Sequence, residues 1–321
     1  MFYDWTGRID EAAKGKRIHQ VVENTHINEV VHAEDRAFGI VGFESDEGVR
    51  RNKGRMGAKE APNQIRKMMG SIPYHSSKEN LIDVGNVTCD DGDLEIAQVK
   101  LAESVAQLIE KNHTPIILGG GHETFFGHYL GVRKALGADK KIGLVNLDAH
   151  LDMRLDEQPS SGTMFRQILE TDANTNYLCI GLQELGNTEQ LFATAKEHDV
   201  TYIMEEDLEP LEETYATIDK FASEHDVIIY TICSDVINQA HAPGVSAPAP
   251  FGIHPNTVRL VTEHVITQDN FISFDISEVN PSLDIEEQTS RLASYIVSEV
   301  LSGLNHKGKP PHSRFKKEEL K

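Results

Sequence analysis

The chain has 321 residues, enough for one large α/β domain, and its 51 Asp and Glu against 31 Lys and Arg give a net charge of −20. Nucleic acid and anionic membranes both call for a basic face that displaces counterions, so this balance argues against either as a partner. No apolar run reaches the roughly 18 to 20 residues of a membrane span, and the opening MFYDWTGRIDEAAKGK lacks the apolar core of a signal peptide, so a cytoplasmic protein is expected.

Residues 1–35 are polar and are expected to be irregular. From about residue 38 to 303, short β-rich apolar runs alternate with amphipathic stretches of helix length, the pattern of β-α units around a mostly parallel sheet in a single α/β domain (36–304). Strands are predicted at 38–43, 81–84, 114–118, 142–147, 176–181, 200–204, 226–232 and 271–277, about eight for one sheet. Helices are predicted at 61–69, where Pro62 falls in the first turn, and at 93–111, 123–136, 187–197, 210–224, 255–266 and 286–303. No linker divides the chain, and the basic tail 305–321, with Gly, Pro and no apolar face, is expected to be mobile. Cys89, Cys179 and Cys233 are odd in number and widely spaced, which fits reduced thiols rather than disulfides or a CxxC zinc site. The 15 histidines form no tract, so a metal site has to be assembled from distant segments.

In an open parallel sheet the ligand site lies beyond the carboxyl ends of the strands, and four of those ends are unusual. They carry Gly119-Gly120-Gly121-His122-Glu123, Asp148-Ala149-His150-Leu151-Asp152, Cys233-Ser234-Asp235 and Glu278-Val279-Asn280-Pro281. In extended backbone Asp148, His150 and Asp152 share one face, and two carboxylates with an imidazole suit Mn²⁺ or a similar hard divalent ion. A polar turn with His150 bonded to backbone is the plainer alternative. The three glycines allow either a phosphate cradle at a helix start or a close backbone approach that brings His122 to a metal. Cys233 and Asp235 alone read as a buried thiol and a loop-capping carboxylate. His128, past the strand end in the helix predicted at 123–136, is expected to tolerate substitution.

The blocks GGGHE, NLDAHLD, APGVSAP and SEVNP resemble the arginase-type ureohydrolases, manganese enzymes that hydrolyse guanidino and amidino groups, over nearly the whole chain. Segments 46–66 and 161–169, with Asp152-Met153-Arg154, are similar to the formimidoylglutamase branch of that family. The resemblance implies an arginase-like fold and a centre of two Mn²⁺ per subunit. His122, Asp148 and Asp152 would serve one ion, and Asp148, His150 and Asp235 the other. It implies a trimer or hexamer, and catalytic roles for Asp235, as proton carrier, and for Glu278, which would hold the amidinium. Substrate contacts are implied for Arg154, Ser161 and Glu278.

Counting back from Pro243, the two aspartates usual in the family stand here as Cys233 and Asp235. Cys233 can therefore ligate as thiolate, leave one ion weakly held, or mark a non-catalytic homologue. Phe165 occupies the place of an arginase active-site histidine, and Arg154 that of an asparagine contacting the amino acid's carboxylate. A guanidinium at 154 suits an acidic substrate and repels arginine or agmatine, its plainer role being an ion pair with Asp156. The expected reaction is hydrolysis of N-formimidoyl-L-glutamate to L-glutamate and formamide, the alternative being an agmatinase- or guanidinobutyrase-like reaction.

Overall fold

The computed structural model describes residues 2–9, 15–76 and 80–307, so that 308–321 of the basic tail lie outside the described residues. The strands are β1 (Lys16–Arg17), β2 (Glu23–Asn24), β3 (Ala37–Glu44), β4 (Pro73–Tyr74), β5 (Leu81–Thr88), β6 (His113–Leu118), β7 (Ile142–Leu147), β8 (Thr175–Leu182), β9 (Thr201–Met204), β10 (Val227–Cys233) and β11 (Phe271–Ser277). The α-helices are α1 (Glu47–Arg51), α2 (Ala61–Met69), α3 (Leu94–Glu110), α4 (Thr124–Leu136), α5 (Met164–Thr171), α6 (Glu189–Glu197), α7 (Leu211–Ser223), α8 (Pro255–Thr267) and α9 (Gln288–Asn305).

Nine strands form one sheet in the order β2-β5-β3-β6-β11-β10-β7-β8-β9, and every pairing in it is parallel. All eight predicted strands lie in this sheet. The ninth, β2, comes from the segment expected to be irregular, and β1 pairs with β4 in a separate two-stranded ribbon. Two residues carry too little pattern to announce a strand; β2 exists because β5 offers it an edge. The short helices α1 and α5 also went unpredicted, the first because five residues complete barely more than one turn.

A parallel sheet is covered on both faces, and the alternation within each strand divides the core accordingly. Ile40, Ile116, Val145 and Tyr230 pack with the buried residues of α2, α7, α8 and α9. Val41, Ile117, Leu144 and Ile229 pack with those of α3, α4, α5 and α6. Local chemistry sets several helix starts: Pro62 stands in the first turn of α2, and the Asp93 carboxylate accepts from the Ile96 N–H (3.1 Å) to cap α3. No described helix is long and apolar enough to cross a membrane.

The connection order decides where a ligand can sit. The chain builds outward on both sides of the β6/β7 position and then inserts β10 and β11 between those two strands. Four adjacent central strands, β6, β11, β10 and β7, thus end side by side, and their carboxyl ends carry the four unusual sequences.

Candidate metal centre

His122 reaches the centre through the glycine loop after β6. A Cβ on Gly120 would stand 1.8 Å from the Ser45 carbonyl oxygen, so only glycine lets the loop pass the end of β3 this closely. The N–H of Gly119 donates to Ile276 O (2.8 Å), that of Gly121 to Ser45 O (2.9 Å), and that of His122 to Glu278 Oε1 (2.9 Å). With these donors spent inside the protein, the loop is not a phosphate cradle. It is a clamp between the ends of β3 and β11, completed by the Glu278 N–H on Gly120 O (2.8 Å).

The DAHLD residues converge by a different route from the extended one expected. Strand β7 stops at Leu147 and Asp152 has φ +47°, so the segment turns at once and the side chains meet through loop geometry rather than strand alternation. Asp148 lies at the middle. Its Oδ2 is 3.1 Å from His122 Nδ1, which also lies 2.9 Å from Asp152 Oδ2. His150 Nδ1 stands 3.5 Å from Asp148 Oδ1 and 3.3 Å from Asp235 Oδ2. The Asn146 amide (3.1 Å) and the His150 N–H (2.8 Å) donate to the Asp148 carboxylate and fix its orientation.

Two groups result whose ligand atoms lie within 4.8 Å of one another: His122, Asp148 and Cys233, and Asp148, His150 and Asp235. Asp148 belongs to both. Asp235 Oδ1 is buried without a hydrogen-bond partner among the described residues, which fits a carboxylate oxygen that a cation would satisfy. The electrostatics agree. Burial alone would depress the pKa of His122, yet bonds to Asp148 and Asp152 hold it well above the usual imidazole range, and Asp235 and Asp148 do the same for His150. Each imidazole is thus set among carboxylates that favour a positive charge at its Nδ1 side. The donor chemistry fits a hard divalent ion on Asp148, His150 and Asp235. Cys233 fits less well: burial first, then Asp148, Asp235 and Glu278, push its thiol well above 9, so its proton must be displaced before sulfur can ligate.

Glu278, with φ +66°, is held in the same pocket, and burial, then Asp235 and Glu123, raise its pKa to about 8. The cavity above these groups has a volume of about 410 Å³ and changes sign from floor to rim. Asp152, Asp235 and Glu278 line the floor, whereas Lys53, Arg55 and Arg154 line the same cavity as cations. Arg154 donates to Asp156 Oδ2 (2.9 Å) and to the side-chain oxygen of Asn52, so the plainer ion pair exists, and 44% of its side chain stays accessible beside the cavity. Ser161 also lines the cavity and accepts from the Asn52 amide (3.1 Å). Phe165 does not line it: the ring is buried, stacks on Tyr177 with 4.0 Å between centroids, and meets His122 edge-on at 5.9 Å.

Two sets of residues escaped the reading by sequence. Asn52, Lys53 and Arg55 follow α1 at the carboxyl end of β3, and the rule applied to the other strand ends would have found them. Thr231 and Asp275 are polar positions inside apolar strands, a signal visible in YTI and FDI. The tolerance expected of His128 is at odds with its setting: it is wholly buried on α4, with Nδ1 2.7 Å from Asp275 and Nε2 2.6 Å from Ser273 Oγ.

A model of the arginase family matches residues 36–303. The formimidoylglutamase of a Geobacillus species (strain WCH70) is 48% identical over 92% of this chain and 93% of its own length. That of Lysinibacillus sphaericus is 46% identical over 94% and 95%. Among solved structures, formimidoylglutamase from Bacillus subtilis superposes with a TM-score of 0.78 at 22% identity, covering 94% of this chain and 98% of that one. A variant of Trypanosoma cruzi formiminoglutamase with Mn²⁺ gives 0.77 at 25% identity, covering 89% and 99%.

Proposed function

The chain belongs to the arginase family, and from that premise we propose that it hydrolyses N-formimidoyl-L-glutamate to L-glutamate and formamide at a Mn²⁺ centre of two ions per subunit. The observation that carries this reading is a cavity whose floor meets two ligand groups that share the buried Asp148 and whose rim is cationic. An amidine head and two carboxylates match that polarity; arginine and agmatine, which carry a cation toward the rim, do not.

On this reading His122, Asp148, Asp152 and Cys233 would hold one ion and Asp148, His150 and Asp235 the other. Bound Mn²⁺ supplies a water acidified enough to act as nucleophile near neutral pH. Glu278 accepts hydrogen bonds from the amidinium and so fixes the electrophilic carbon over the floor; the cation in turn favours ionisation of a carboxyl that burial otherwise keeps neutral. Asp235 takes a proton from the attacking water and passes it to the glutamyl nitrogen as the C–N bond breaks, and the one proton left over stays with the released amine, so that formamide and the ammonium form of glutamate result. Arg154 and Ser161 receive a substrate carboxylate, with Asn52 orienting both. The same reading makes the protein a cytoplasmic homo-oligomer.

The test is a parallel assay of Mn²⁺-loaded protein with formimidoylglutamate, arginine, agmatine and guanidinobutyrate. Turnover of formimidoylglutamate well above the other three is expected. Faster turnover of any of the others would reassign the substrate, and turnover of none by protein shown to contain Mn²⁺ would point to the non-catalytic alternative.

A further inference from the structure

His122 presents Nδ1 to Asp148 and Asp152, but its other ring nitrogen points into the core, where Nε2 meets Thr231 Oγ1 of β10 at 3.1 Å. From there a run of short hydrogen bonds leads away from the cavity. Thr231 Oγ1 lies 2.7 Å from Asp275 Oδ1 on β11, and Ser277 Oγ donates to the same oxygen at 3.1 Å. Asp275 Oδ2 receives His128 Nδ1 from α4 at 2.7 Å, and His128 Nε2 meets Ser273 Oγ at 2.6 Å. Thr231, Asp275, His128, Ser273 and Ser277 are all 0% exposed, so the members of the run must satisfy one another.

That requirement fixes the direction of each bond. A carboxylate only accepts, and Asp275 accepts from Thr231, Ser277 and His128. The single hydroxyl proton of Thr231 is therefore committed to Asp275, and toward His122 the threonine has only lone pairs to offer. His122 must meet it with a proton on Nε2. In a neutral ring the lone pair is then confined to Nδ1, the nitrogen that faces Asp148 and Asp152.

We propose that Asp275, anchored by His128, is a positioning residue for the candidate metal ligand His122: through Thr231 it sets which imidazole nitrogen is available to the ion. The inference rests on the metal reading given above and extends it to residues that neither touch the cavity nor ligate. Asp275 acts as the terminal acceptor that gives the run its polarity, and His128 holds that acceptor in place from the helix that follows the glycine loop. Partners of this kind, which orient a histidine ligand from behind, typically change metal affinity by about 10- to 100-fold when altered.

The experiment is calorimetric titration of the metal-free full chain with MnCl₂, with the thermal unfolding midpoint of each metal-free variant measured alongside. Asp275→Asn keeps the shape, lets the amide oxygen accept from His128, and turns a donor toward Thr231, so that Thr231 donates to Nε2 and the ring proton moves to Nδ1. It is expected to weaken Mn²⁺ binding about 10-fold or more. Thr231→Val, which lacks the hydroxyl, should do the same, while Thr231→Ser should bind as the wild type does. A loss of unfolding midpoint in these variants with wild-type Mn²⁺ affinity would reduce the run to a structural role and overturn the proposal. Should Asp275→Asn fail to fold, His128→Asn, which keeps a donor near the Nδ1 position, against His128→Leu decides: weaker binding only for Leu supports the proposal, and equal affinities overturn it. A wild-type protein that bound no Mn²⁺ would overturn the metal reading itself, an outcome separate from variants that bind as tightly as wild type.

Discussion

Cys233 is the residue at which this centre departs from a uniformly hard ligand set. Its sulfur groups with His122 and Asp148, but its pKa is pushed up by burial and by four carboxylates, so the sulfur ligates only where a metal displaces the thiol proton. Cys233→Asp supplies a hard oxygen and should tighten the weaker Mn²⁺ site, whereas Cys233→Ala should weaken it. Softness predicts the reverse preference for Cd²⁺, with wild type binding more tightly than the Asp variant. Metal titration of the three forms checks both orders, and identical affinities throughout would place position 233 outside the coordination sphere. Arg154 is the second informative residue. Losing a charged hydrogen-bonding partner typically costs on the order of 2 to 5 kcal/mol, and partial exposure puts Arg154 at the lower end, so Arg154→Ala should reduce kcat/KM for formimidoylglutamate about 30-fold. Mn²⁺ content should not change. Steady-state kinetics and metal analysis on one preparation separate the two effects, and near-normal kinetics would remove Arg154 from substrate recognition.

Among the elements, the β6–α4 connection is the one on which the centre depends. Three glycines bring a histidine to the junction of β3, β6 and β11, and the contact distance at Gly120 leaves no room for a methyl group. Gly120→Ala must push the loop off Ser45, breaking the Gly121 bond to Ser45 O and the Glu278 bond to Gly120 O together. Each such backbone bond contributes about 0.5 to 1.5 kcal/mol, so a loss of about 1 to 3 kcal/mol in unfolding free energy is expected, with weakened Mn²⁺ binding because His122 moves. Denaturant unfolding and metal titration would show it; unchanged Mn²⁺ affinity would mean that the loop does not set the position of His122. Helix α5 plays a supporting part, since its Phe165 is held between Phe125 and Tyr177 and lays an edge against His122.

For the molecule as a whole, the buried site makes stability depend on pH. In the metal-free protein burial raises Glu123 to about 7 and Glu278 to about 8, while His122 and His150 are held well above the usual imidazole range. All four keep a proton more tightly folded than unfolded. Their contribution is complete below the unfolded pKa values and is lost as pH rises through the folded ones. Asp148, held below the usual carboxylate range by His122 and His150 against the cost of its burial, acts in the opposite sense but only in acid. His113 and His225, lowered by burial, have given their full contribution by about pH 7. Between about pH 7 and 9 the unfolding midpoint of the metal-free protein should therefore fall, and the stabilisation conferred by Mn²⁺ should grow as protons cease to compete for the histidines. Thermal scans with chelator and with saturating Mn²⁺ would check this, and a metal-free midpoint that rose across that range would contradict it.

Sequence by itself determined the alternation of strands and helices, because each central strand is an apolar run bounded by polar punctuation, and it pointed to the candidate centre, because four polar clusters stand at the ends of those runs. It also singled out Cys233, a thiol among carboxylates and imidazoles, and Arg154, a cation beside the acidic cluster. It could not reveal β2, a two-residue strand that exists only through its neighbour, or the turn at Asp152, whose left-handed backbone brings a carboxylate back toward His122. It missed the setting of His128, since a histidine past a strand end gives no sign of its partners until β11 is seen to pass beneath it with Asp275 and Ser273. Local pattern fixes which elements form; only the insertion of β10 and β11 between β6 and β7 decides which polar side chains share a dry interior, because hydrogen-bond partners distant along the chain are chosen by sheet order rather than by spacing.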